Sequence, residues 1–167
     1  MAPRALVPRP GSLLTRRQKG NQTMSLAMSK EQLETFLAAT RIGIVSVEEA
    51  GRGPCSVPVW YQYEPGGVLR FASGRESRKA KLVAKASRIS FCVQTEAPPY
   101  SYVSVEGPVS IEPIDYERHV KEMAIRYLGD EIGLGYLQMT HPDESVADTI
   151  LVALTPKRWW SVDYNNL

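Results

Sequence analysis

The sequence predicts an α+β protein: a small antiparallel β-barrel of about six strands, with helices packed outside it or across one end. Three observations lead there. Short runs of alternating, β-branched residues recur, among them "RIGIVSV" (residues 41–47) and "SRISFCV" (residues 87–93). Tight turn signals, such as "PGG" at 65–67, join them as hairpins. Strand and helix patterns do not alternate regularly and no GxGxxG occurs, which argues against a Rossmann fold.

Taken in order, "MSKEQLETFL" opens the domain. Ser29 is the predicted N-cap, Gln32 holds the capping-box position, and Leu33, Phe36 and Leu37 form one apolar face. Residues 41–47 are a strand. "CSVPVWYQYE" is a second strand, in which Pro58 marks an edge, a bulge or the approach of a ligand. "VLRFAS" after the 65–67 turn completes a hairpin with it. A helix is expected from Ser77 to Lys85, then a strand at "RISFCVQTE". "PPYSYVSVEGPVSIEP" reads as a long strand broken by a bulge or bend at Gly107-Pro108. "IDYERHVKEMAIRYLG" is an amphipathic helix burying Val120, Met123, Ala124 and Tyr127 and ending at Gly129. "DEIGLGYLQMTHPDES" is expected to be irregular, with a short helix as the alternative, and "DTILVALTPKRWWSVDY" a final strand or strand pair.

At 167 residues the chain is expected to form one domain, residues 29–167, behind a tail of residues 1–28. The tail reads as disordered, non-native or an over-early start, with Met24 or Met28 as alternative beginnings. It holds Arg4, Arg9, Arg16, Arg17 and Lys19 and no acid. Taking these five from the 20 basic residues leaves 15 against 18 acidic ones, so the domain is mildly acidic. That argues against nucleic acid as its partner. No apolar run approaches the roughly 20 residues of a bilayer span, and none forms a secretory core. Cys55 and Cys92 form no CxxC, so both are expected to be packing thiols in a reducing, cytoplasmic setting.

The chemistry-bearing motifs are few. There is no HExxH, GxSxG, Walker A or Cys/His cluster. The two histidines read as a helix-surface residue (His119) and a loop residue (His141). What stands out is "SGRESRKAK" at residues 73–81, between a strand and a helix. Ser77 is the expected N-cap, and Arg78 and Lys79 follow in the first turn, where the helix dipole does not favour cations. A solvated basic patch and an anion site both fit this composition.

The order of the pieces resembles the pyridoxamine-phosphate-oxidase-like flavin and deazaflavin proteins, which are split β-barrels. The resemblance rests on Ser73, on "SRKA" at 77–80 opening a helix, on "SRISFCV", on "YVSVEGPVSI" and on the closing "PKRWWSVD". It covers about residues 29–163. It implies a homodimer that binds a cofactor and a small-molecule substrate. Ser77, Arg78 and Lys79, with Ser73 and Arg75 beside them, would hold the cofactor phosphate. Pro58, Val59, Trp60 and Tyr61 would lie against its ring, and the region of Trp159 and Trp160 would come from the partner subunit. Oxidases of the family that use FMN carry basic residues on the strand that reads "SVPVWYQY" here, and this strand has none. The pattern is closer to the branch that binds the deazaflavin coenzyme F420, with FMN as the alternative. The implied activity is hydride transfer between reduced F420 and an organic acceptor. Tyr61, Tyr100, Tyr102 or water are open as proton sources, and a non-catalytic carrier or a haem protein on the same barrel are rival readings.

Overall fold

A computed structural model describes residues 25–166. In chain order its elements are α1 (Lys30–Ala38), β1 (Gly43–Val47), β2 (Cys55–Val59), β3 (Leu69–Gly74), α2 (Arg78–Val83), β4 (Arg88–Gln94) and β5 (Ser101–Glu112). A π-helical turn (Tyr116–Lys121) then leads into α3 (Glu122–Leu128) and α4 (Asp130–Thr140). The chain closes with β6 (Thr149–Leu154), β7 (Arg158–Asp163) and a 3-10 turn (Tyr164–Asn166).

All pairings are antiparallel, in the order β2-β1-β4-β5-β6-β3, with β7 on β5. Alternation sets the inner face: Val45 and Val47, Phe71, Ile89, Phe91 and Val93, Val103 and Val105 are all buried. Tyr61 and Leu37 close one end of this core, where the Tyr61 hydroxyl donates to the Leu37 carbonyl at 2.7 Å. The α1 capping box forms as the sequence predicts, with Ser29 and Gln32 bonded reciprocally.

β5 is the strand that splits the sheet. Its first half pairs β7 from Ser101 to Glu106, and its second half pairs β6 from Val109 to Glu112. Gly107-Pro108 is where the partner changes. The chain crosses from β6 to β7 there, through Thr155 N–H to Pro108 O (3.0 Å) and Lys157 N–H to Glu106 O (2.9 Å). A Cβ on Gly107 would lie 1.8 Å from the Thr155 carbonyl oxygen, so glycine is required. The expected break is thus a change of partner within one continuous strand.

Three expectations are corrected. β2 and β3 do not form a hairpin ladder: they share one bridge, Gln62↔Arg70, and β3 pairs β6 instead. Residues 130–140 are helical rather than irregular. Gly133 lets α4 press onto α3, since a Cβ there would sit 3.1 Å from the Ala124 carbonyl oxygen. The packed part also starts before Ser29: Asp163 N–H donates to Leu26 O at 2.8 Å, and Met28 is buried. The rest of the expected tail, residues 1–24, lies outside the described residues. No helix among the described residues is long and apolar enough to cross a membrane.

Gly107→Ala should destabilise the fold by about 3 kcal/mol, because neither backbone at the crossing can give way. Urea unfolding would register this as a lower midpoint, and an unchanged midpoint would contradict the steric account.

Candidate functional site

β2 and β3 diverge beyond the Gln62↔Arg70 bridge. A cavity of about 780 Å³ opens between them. Pro58, Val59 and Trp60 line one side, at the end of an edge strand where proline forfeits no ladder bond. Ala72, Ser73 and Gly74 line the other. The π-helical turn and the two helices after it cover the space, presenting His119, Val120, Met123, Tyr136, Thr140 and His141. Trp60 is held rigidly. It stacks on Tyr127 (centroids 5.2 Å, planes at 12°) and meets Tyr136 at 5.5 Å and 59°. Trp60 therefore packs and lines the cavity at once.

Lys79 reaches the cavity from the first turn of α2. It is the only Lys or Arg in the lining, and it has no carboxylate partner among the described residues. Its ammonium lies 5.6 Å from the centre of the Phe71 ring. Burial lowers its pKa from the ordinary 10.5, with the neighbouring Cys55 opposing that shift weakly. Ser77 caps α2, accepting from Ala80 N–H at 3.2 Å, and its hydroxyl lies 3.0 Å from that of Ser73. Ser73 is in the lining and Ser77 stands behind it.

The other predicted site residues are elsewhere. Arg78 is an exposed partner of Glu49: their hydrogen-bonded ion pair lowers the Glu49 pKa and raises that of Arg78. Arg75 points away to the loop before β6, bonding the carbonyls of Ala147 (3.2 Å) and Thr149 (3.4 Å). Tyr61 lies wholly in the barrel core, where burial pushes its phenol pKa well up, so it is neither a ring contact nor a proton source for this cavity. Tyr100 and Tyr102 are exposed and absent from the lining. Trp160 sits on the outer face of the sheet. It is four strands from Pro58 along one cross-strand row (Pro58, Ile44, Cys92, Ser104, Trp160), roughly 19 Å at the usual strand spacing.

The placement of the helices over the cavity was not legible in the sequence. His119 and His141 both reach the cavity wall, although one read as helix surface and the other as loop. The available signal was the apolar stripe of the 114–129 helix: His119 adjoins Val120 on the side that turns to the cavity. No group of three His, Cys, Asp or Glu among the described residues is arranged to hold a metal ion.

No family model and no curated protein matches this sequence. Solved structures do match its fold. An F420 reductase aligns with a TM-score of 0.62 at 22% identity, covering 76% of this chain and 94% of the other. An FAD- and haem-binding protein from Mycobacterium smegmatis aligns at 0.63 and 14%, covering 83% and 73%. A candidate pyridoxamine 5'-phosphate oxidase from Listeria innocua aligns at 0.59 and 14%, covering 79% and 96%. The fold is the pyridoxamine-phosphate-oxidase-like split barrel. In this split barrel the split is the β2–β3 seam, and the cavity lies in it.

Lys79 should lose its proton below 10.5, and the split barrel should gain stability as pH rises through that interval. The sign follows because the unfolded chain there binds the extra proton. Side-chain NMR of Lys79, assigned with Lys79→Arg, would measure it. A titration at or above 10.5 would show the ammonium to be solvated.

Proposed function

We propose that this protein binds the deazaflavin coenzyme F420 in the β2–β3 cavity and uses it as an F420H2-dependent reductase of a small organic acceptor. The observation that carries the reading is Lys79: a half-buried cation without an acid partner at the end of an otherwise largely apolar cavity. Such a group is a cost to the free protein and a gain once an anion meets it. Ser73 offers a hydroxyl on the same side. Pro58, Val59 and Trp60 offer a flat apolar wall for a ring system. The absence of Arg and Lys from residues 55–63 favours F420 over FMN.

A bound reduced deazaflavin would supply a hydride to the acceptor, and a proton taken up from solvent would complete the two-electron reduction. The chain's own part is to hold the anionic end at Lys79, to fix the ring against Trp60, and to exclude water beneath the helical cover. Trp60 suits that role because stacking on Tyr127 locks its rotamer.

The reading includes a homodimer. Ile44 and Trp160 are 38% and 51% exposed on the sheet's outer face, in the row that runs from Pro58 at the cavity's edge. A second copy covering this row would bring its own Trp160 toward the cavity, which the distance within one chain forbids. Both cysteines are free, which suits a reducing, cytoplasmic setting.

Absorbance and fluorescence titrations with F420 and with FMN test the cofactor. F420 should bind more tightly, and preference for FMN, or binding of neither, overturns the reading. Turnover of F420H2 with enones and quinones separates a reductase from a carrier. Lys79→Ala should weaken F420 binding by about 1–3 kcal/mol through loss of a charge-assisted contact, whereas Arg78→Ala should change it by less. Light scattering on a size-exclusion column should give the mass of two chains.

A further inference from the structure

The cavity's helical wall carries a hydrogen-bond donor of defined state. His119 belongs to the π-helical turn, a conformation that often marks a working position. Its Nδ1 accepts the backbone N–H of Asp115 at 2.9 Å. A ring nitrogen that accepts carries no proton, so the neutral imidazole holds its proton on Nε2. That nitrogen has no hydrogen-bond partner among the described residues, and no buried side-chain nitrogen or oxygen there lacks one. The Nε2–H is therefore accessible to solvent, on a ring that lines the cavity.

Two alternatives fail on the same geometry. Ligation of haem iron or another metal through Nε2 needs the reverse tautomer, with Nδ1–H donating to an acceptor; here Nδ1 faces a donor. A cationic imidazolium would set its Nδ1–H against the Asp115 N–H, donor facing donor. A neutral imidazole held as a pure donor is a known way to polarise a carbonyl. The ring also borders a polar groove with Arg70, Arg118 and Glu112, where charged groups outweigh one neutral N–H. In the apolar cavity, beside Val120 and Met123, the same donor acts at low dielectric and gains strength.

We propose that His119 donates its Nε2–H to the carbonyl oxygen of the acceptor and polarises it, and that the acceptor is a small, largely apolar carbonyl compound. The second statement follows from the neighbours of His119 on that wall, and both rest on the reductase reading above.

Two measurements test this on the full chain. Long-range nitrogen-15 correlation NMR of the cofactor-free protein reads the tautomer directly, since only two histidines need assignment, through His119→Gln and His141→Gln. The Nε2–H form is expected, and the Nδ1–H form overturns the proposal whatever the protein catalyses. Turnover of F420H2 is then followed with cyclohex-2-enone and menadione. His119→Phe should lower kcat about 100-fold, the usual effect of removing one such donor, with F420 affinity changed less than twofold. His119→Gln, which restores an N–H donor, should recover most of that loss. If wild type is active and His119→Phe keeps its rate, or loses F420 binding in step with rate, the His119 role is overturned and the reductase reading survives. If wild type binds F420 but reduces neither acceptor, the reductase reading fails and the His119 role fails with it.

Discussion

Two backbone hydrogen bonds, Gln62 N–H to Arg70 O (2.8 Å) and Arg70 N–H to Gln62 O (2.9 Å), are the only join between the outer strands of the barrel among the described residues. Everything about the cavity depends on their being so few. A full β2–β3 ladder would seal the barrel, and a missing bridge would let the two edges part. With one bridge, the strands are pinned at one point and diverge from it, so Pro58 to Trp60 face Ala72 to Gly74 across a gap of ligand size. An open seam leaves strand edges unpaired, which proteins manage by covering or charging them. Here the π-helical turn with α3 and α4 is the cover.

That cover is tied to the seam by polar contacts. The Tyr127 hydroxyl accepts from Tyr61 N–H at 3.1 Å and donates to Arg41 O at 2.8 Å, while its ring stacks on Trp60. Gln62 reaches the Arg118 carbonyl at 2.8 Å. The residues that leave β2 without a ladder partner thus find their partners on the helices. Burial of Val120, Ala124 and Leu137 in a small cluster of their own, packed against Trp60, adds the apolar share. The helices are consequently both the lid of the cavity and the replacement for the missing strand pairing.

The basic segment at residues 73–81 resolves into separate jobs. Arg75 fastens the loop before β6, Arg78 pairs Glu49, Lys81 pairs Glu76, and Lys79 alone faces the cavity. Partners explain the division: Arg75, Arg78 and Lys81 found carbonyls or acids, and Lys79 has no carboxylate partner among the described residues.

Local periodicity was sufficient for the strands, the α1 capping box and the inward positions of the 114–129 helix, because those are decided by neighbours a few residues apart. Of the residues that the family-like order implied, Lys79, Ser73, Pro58, Val59 and Trp60 line the cavity. Sequence alone did not determine which strands pair, because β3 chooses β6 over its neighbour β2 for reasons of barrel closure rather than turn chemistry. Nor did it settle α4, whose two glycines weaken local propensity while one of them, Gly133, permits close packing on α3. Long-range packing decided the fate of each polar group. Tyr61 turned inward to the Leu37 carbonyl and Arg78 found Glu49, partners 24 and 29 residues away.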